Sequence, residues 1–153
     1  MGHLRDVTYE DSGGSVHIVV ESSQLVRTVA KGYAREGMVT AYLRELLLFS
    51  NAATHRMDVF HDWAALDGFA PEARRLFLQQ SSERRAKNAL AFRGFHLLVS
   101  STLVQLALEA ARVWYGDAIH VYRDRETFEL TLSRVRREPS KERIAPKTEA
   151  PPR

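Results

Sequence analysis

The chain has 153 residues, 44% hydrophobic and 27% charged, which are the proportions of a soluble globular domain that forms a core without crosslinks. It contains no cysteine, which excludes disulfides and thiol chemistry and favours a cytoplasmic location. The net charge of +3 comes from residues 134–153, which hold seven Lys or Arg and three Asp or Glu, so the rest is nearly neutral and predicts no specific nucleic-acid surface.

The N-terminal segment Met1–Glu10 is polar and does not resemble a signal segment. No apolar run approaches the roughly 20 residues that span a bilayer. We therefore expect a protein without a membrane span, and its first six residues, 1–6, are predicted to be flexible.

The first third of the chain predicts an antiparallel meander. Alternating and β-branched residues indicate strands at Val7–Glu10, Val16–Glu21 and Leu25–Tyr33, and the Gly-rich segment 11–15 is typical of a turn. The apolar period then changes, and Glu36–Ser50 has one apolar face at helical spacing: Val39, Tyr42, Leu43, Leu46 and Leu47.

The remainder alternates short apolar strands with helices. The predicted strands are Met57–Asp62, Gly94–Ser100 and Ala118–Tyr122. Helices are predicted to begin at Pro71, after Ser101 or Thr102, and after Asp124. The second of these helices ends at Gly116, and the third turns Phe128, Leu132 and Val135 inward. Crossovers of this kind produce parallel pairing. The predicted fold class is therefore α/β, a mixed, mostly parallel sheet with an antiparallel N-terminal meander and about four helices, spanning residues 7–136. Residues 137–153 are rich in Pro, Lys and Glu and predict a disordered basic tail.

Two segments carry a resemblance to a known group of proteins. MDVFHDWAALDGFAPEARRLF (57–77) and FHLLVSSTLVQLALEAARVWYG (95–116), together with the element order, resemble STAS domains, the SpoIIAA-like or anti-sigma-factor-antagonist fold. The resemblance implies a non-enzymatic, regulatory protein-binding module without a cofactor. In phospho-regulated antagonists a strand-end Asp precedes a phosphorylated Ser or Thr, whereas Asp62 here precedes Trp63, so the usual phosphoswitch is not expected.

The predicted partner-binding surface is the strand-end turn Asp62–Phe69 with the neighbouring loop. Its residues are Asp62, Trp63, Asp67 and Phe69, with Ser100, Ser101 and Thr102. Trp is enriched at docking hot spots; the alternative interpretation is that Trp63 and Phe69 cover the core, since large aromatics are mostly buried. The predicted partner is another protein of unknown identity, with homodimerisation as a further option.

Three other hypotheses follow from charged and histidine residues. His61 and Asp62 suggest acid–base chemistry, but neighbours on a strand point to opposite faces, so they form no direct pair. A metal site is suggested by three strand histidines, His61, His96 and His120. We expect His61 near the end of its strand and the other two near the starts of theirs, at opposite edges of the sheet. No metal site is therefore predicted. The basic run on the helix after Pro71 (Arg74, Arg75, Arg84, Arg85, Lys87) indicates a solvated face, with binding of phosphate or of an acidic partner as the alternative.

A function of a different class also follows from the resemblance. The group includes lipid-binding relatives, so a small-molecule or lipid-binding domain of Sec14/SpoIIAA-like type is the alternative to protein docking. Such a domain needs an apolar pocket of several hundred Å³, roughly 300–1,000 Å³.

Overall fold

The computed structural model describes residues 4–100, 103–104 and 118–144. Its strands are β1 (Arg5–Glu10), β2 (Gly14–Ser22), β3 (Leu25–Ala34), β4 (Met57–Phe69), β5 (Phe92–Val99) and β6 (Ile119–Tyr122). Its helices are α1 (Glu36–Ala52), α2 (Pro71–Glu83), α3 (Arg85–Ala91) and α4 (Arg125–Arg137).

The six strands of the described residues form one sheet in the order of the sequence, from β1 to β6. The first three pair antiparallel with each other, while β3–β4, β4–β5 and β5–β6 pair parallel. This confirms the predicted mixed sheet with a meander at one edge. No helix in the described ranges is both long and apolar enough to cross a bilayer.

The sheet separates two apolar layers. Val59 and Phe95 pack with Tyr42 of α1 and Phe77 of α2 on one face. On the other face, Phe60 and Leu98 pack against the inward row of α4, which consists of Phe128, Leu132 and Val135. Because side chains alternate along a strand, successive residues of β4 contribute to opposite layers.

The predicted starts of two helices are confirmed by specific residues. Pro71 occupies the first turn of α2, where its missing N–H is no loss. Asp124 caps α4 by accepting hydrogen bonds from the backbone N–H groups of Glu126 and Thr127. The predicted helix that ends at Gly116 lies outside the described residues, apart from the buried Leu103 and Val104.

β4 is longer than the sequence predicted. The predicted strand ended at Asp62 and continued as a turn, but the observed strand runs for 13 residues, to Phe69. Two register shifts against β3, one after Asp62 and one after Leu66, each insert an extra residue in β4. The prediction of a turn is therefore wrong, because these bulges absorb the polar residues while pairing with β3 continues.

Part of the predicted disordered tail lies against the domain instead. Arg56 N–H donates to the carbonyl of Glu142 (2.7 Å), and Ile144 N–H donates to the carbonyl of Thr54 (3.0 Å). Ile144 also packs on the main apolar layer. Two features account for this contact: Thr54 and Arg56, just before β4, supply backbone hydrogen-bonding groups, and the side chain of Ile144 is partly buried against the core. Residues 145–153 lie outside the described part of the chain.

Candidate docking surface

Among the strands that the structure describes, the C-terminal half of β4 has a neighbour on one side only. Pairing with β5 ends at Trp63 and Val99, whereas pairing with β3 continues to Phe69. Along Ala64–Phe69, no strand in the described ranges pairs with the edge that faces away from β3. Unpaired N–H and C=O groups on such an edge can pair with a strand of another chain.

Asp62 connects this half of β4 to α4. Its carboxylate accepts two hydrogen bonds from the guanidinium of Arg125, at 2.9 and 3.2 Å, and one from the backbone N–H of Ala64 at 3.2 Å. The hydrogen bond to Asp62 raises the pKa of Arg125, against the smaller effect of burial. Asp62 therefore holds the first bulge against the helix, a positioning role that no local sequence pattern predicts.

Trp63 is a core residue. Its side chain is 7% exposed, and its ring lies 5.2–6.4 Å from those of Tyr42, His61, Phe69 and Phe77. The hypothesis that Trp63 is an exposed hot spot is wrong, and the interpretation that it covers the core is confirmed. The pleat turns this side chain toward α1 and α2.

The remaining predicted residues differ in accessibility. Asp67 is exposed, Phe69 is half-buried against the core, and Ser100 is half-buried with its carbonyl accepting from Leu103 N–H at 3.1 Å. Ser101 and Thr102 lie outside the described residues. The structure therefore brings Asp62, Asp67 and Phe69 onto one strand, with Asp67 the most accessible side chain among them.

An apolar cavity adjoins this strand but is small. It has a volume of about 20 Å³ and is lined by side chains of the sheet, α1 and α2, including Met38, Trp63, Leu66 and Phe69. This is about the space of one water molecule. It is far below the several hundred Å³ that a lipid or a drug-sized molecule needs, roughly 300–1,000 Å³.

His61 is buried among hydroxyl groups instead of lying at a strand tip. Its Nδ1 lies 2.6 Å from the Thr28 hydroxyl and its Nε2 lies 3.0 Å from the Tyr42 hydroxyl. A neutral imidazole has one donor and one acceptor, so both hydroxyls are satisfied without a charge. Burial first, and the charge of His96 second, lower the pKa of His61 to about 3. Asp62 points to the other face, so the two form no acid–base pair.

His96 and His120 lie next to each other in the sheet, on the face opposite His61. Their rings are stacked 5.0 Å apart, and His96 pairs across the strands with Phe60, the residue before His61. The expected separation at opposite edges of the sheet is wrong, because the strand register places the three histidines at the same level. In the described ranges no group of three or more His, Asp or Glu side chains is arranged to hold a metal.

A polar network surrounds His96. Asp58 Oδ1 lies 3.3 Å from His96 Nε2, and Asp58 Oδ2 accepts from Arg93 at 2.6 and 2.8 Å. Because the carboxylate only accepts, His96 Nε2 donates in this contact, and His96 Nδ1 lies 2.9 Å from the Tyr122 hydroxyl. Burial raises the pKa of Tyr122, and burial, with the charge of His96, lowers that of His120. An Asp within an apolar strand run was the available sequence signal for this network.

Comparison with known proteins supports the fold. Neither a protein-family model nor a curated protein sequence matches this chain. An uncharacterised DUF3478-family protein from Shewanella loihica PV-4, described as having a SpoIIAA-like fold, superposes with a TM-score of 0.59 at 16% identity. The match covers 81% of this chain and 98% of that protein. The chain therefore has a SpoIIAA-like fold, as the resemblance implied.

Proposed function

We propose that this protein is a non-enzymatic, regulatory interaction module that binds another protein through β4. The observation that carries the proposal is the edge of Ala64–Phe69, which extends past the end of β5 without a strand neighbour in the described ranges. A partner segment in extended conformation would add a strand there, with main-chain hydrogen bonds supplying affinity and side-chain contacts supplying specificity.

The side chains along this edge support binding of a partner strand. Ala65 and Asp67 are exposed, so a partner would meet a small residue and a carboxylate. The bidentate contact of Asp62 with Arg125 fixes the bulge at the start of the edge. A strand whose position is fixed before binding loses less conformational entropy on association.

The proposed module would lack the phosphoswitch of the STAS domains that it resembles. Trp63, Ala64 and Ala65 follow Asp62, and none carries a hydroxyl that could accept a phosphoryl group. Regulation would then depend on the presence of the partner. The proposal retains the cytoplasmic location expected from the sequence.

The test compares two charge reversals on exposed strand residues. Asp67→Arg changes the proposed edge, and the matched control Glu10→Arg changes the exposed end of β1, at the other side of the sheet. We expect a protein captured from native lysate by the wild type and by Glu10→Arg to be lost with Asp67→Arg.

Hydrogen exchange on the purified complex provides a second measurement. The backbone N–H groups of Ala64–Phe69 that face away from β3 should exchange more slowly once the partner is bound. If capture is the same for both variants and exchange of this segment does not change, binding through β4 is refuted. If purified protein forms a dimer that Asp67→Arg dissociates, the occupant of the edge is a second copy of the chain.

A further inference from the structure

A second surface lies at the other end of the parallel strands. A groove of about 660 Å³ opens between the end of α1, α3 and the C-terminal segment that contacts the loop before β4. The described residues that line it are Ser50, Asn51, Ala53, Thr54, Arg84, Lys87, Leu90, Ala91, Arg143 and Ile144. We call this the basic groove.

The charged side chains of the basic groove all have the same sign. Arg84, Lys87 and Arg143 line it, and no carboxylate does so among the described lining residues. Within the described part of the chain, the Arg84 guanidinium donates a hydrogen bond to a neutral hydroxyl, Ser50 Oγ, at 3.3 Å. Several other arginines of the described residues lie against carboxylates instead, in the pairs Arg56–Glu142, Arg93–Asp58, Arg125–Asp62 and Arg136–Glu21. The basic groove therefore has a local positive potential within a nearly neutral domain.

The basic groove also has an apolar component. Leu90 is 64% exposed. Leu90 and Leu130 have the highest exposure of the large apolar residues in the described helices. Ile144 and Ala53, both half-buried, add to this apolar surface. An inorganic anion would use the charges and leave the apolar surface in water. A segment with both acidic and apolar side chains would match both.

We propose that the basic groove binds an acidic segment of a partner protein that inserts a large apolar side chain against Leu90. Its carboxylates lie against Arg84, Lys87 and Arg143. The basic groove adjoins the loop before β4, whereas the docking edge lies at the end of β4, so the two surfaces are independent. The site gives a concrete basis for the sequence hypothesis that the basic run on this helix meets an acidic partner.

The experiment measures binding of a fluorescein-labelled synthetic peptide of glutamate and leucine by fluorescence anisotropy, using the full chain. A peptide with lysine in place of each glutamate is the ligand control. The groove variant is Lys87→Glu with Arg143→Glu, and the matched control variant is Lys31→Glu with Arg44→Glu, two exposed cations outside the groove. Both variants change the net charge equally, and circular dichroism checks that both fold.

We expect the groove variant to lose affinity for the acidic peptide by about tenfold, which corresponds to about 1.4 kcal/mol. The control variant should lose about twofold or less, because its reversed cations lie outside the groove and exposed charges interact weakly at a distance. The difference should shrink at high salt. Leu90→Ser should weaken binding at low and high salt alike, because the apolar contact is not screened.

Three results would overturn the proposal. Equal weakening by the two double variants would show non-specific attraction, and equal binding of the acidic and basic peptides would remove the charge argument. Binding of phosphatidylglycerol vesicles without binding of the acidic peptide would make the occupant a lipid surface. None of these variants alters Ala64–Phe69, so each outcome leaves the docking edge to its own test.

Discussion

The buried imidazole of His61 should make the stability of this protein depend on pH. The ring is fully buried between the hydroxyls of Thr28 and Tyr42, and its pKa is lowered to about 3, mainly by burial. In the unfolded chain a histidine has a pKa of about 6.5. Below that value the unfolded state binds a proton that the folded state excludes, so acid favours unfolding.

The size of the effect follows from the two pKa values. The contribution of neutral His61 is fully present above pH 6.5 and is lost as the pH falls from 6.5 toward 3. Each pH unit within this window removes about 1.4 kcal/mol. Between pH 7.5 and pH 5 the free energy of unfolding should therefore fall by about 2 kcal/mol through this residue alone.

The measurement compares the wild type with His61→Gln by urea denaturation at several pH values. Gln keeps one donor and one acceptor for the two hydroxyls but does not titrate. The variant will be less stable at pH 7.5, so the informative quantity is the change with pH. We expect the wild type to lose about 2 kcal/mol more than the variant between pH 7.5 and pH 5.

A control and a direct observation make the result decisive. His17→Gln removes a histidine from the surface, where it lies 2.6 Å from Asp6, and should leave most of the pH dependence in place. Nuclear magnetic resonance of the ring should show His61 neutral at pH 5. Equal pH dependence in the wild type and His61→Gln, or a ring that titrates near 6.5, would refute the reasoning.

Three smaller changes test other parts of the fold by urea denaturation. Gly94→Ala should destabilise the fold by about 1–3 kcal/mol, because the added Cβ would lie 2.5 Å from His96 Nε2. Gly68→Ala should have little effect, because the nearest atom to its Cβ, on the Tyr33 ring, lies at an ordinary contact distance of 3.5 Å. Asp124→Ala should cost about 1 kcal/mol by removing the cap of α4; no loss would mean that the cap is unimportant. Asp62→Asn should cost at most about 1 kcal/mol, less at high salt, because Arg125 is more than half exposed; a salt-independent loss would contradict this.

Local sequence patterns predicted the secondary structure correctly for elements that bury only one face. In α4 the spacing of Phe128, Leu132 and Val135 and the cap at Asp124 were both readable, and both are observed. The meander was readable because alternation and the Gly-rich turn agree. In these elements each residue's environment depends on its own helix or strand, so the sequence pattern is sufficient.

The end of β4 was not predictable in the same way. Asp62, Asp67 and Gly68 are typical of a turn, yet the segment stays extended because β3 supplies hydrogen bonds along its whole length and two bulges absorb the mismatch. The same limit applies to Asp62 itself, since its partner Arg125 lies 63 positions away in the chain.

The amino-acid sequence by itself determined the order of the strands and main helices in the described ranges, the mixed sheet and the region of β4 as a candidate site. Only the tertiary structure decided that Trp63 is buried, that His61 and His96 lie on opposite faces, and that no strand of the described residues pairs with the outer edge of Ala64–Phe69. The physical reason is range: helical and strand periodicity is set by neighbours in the chain, whereas register, bulges and exposure depend on strands brought together from distant positions.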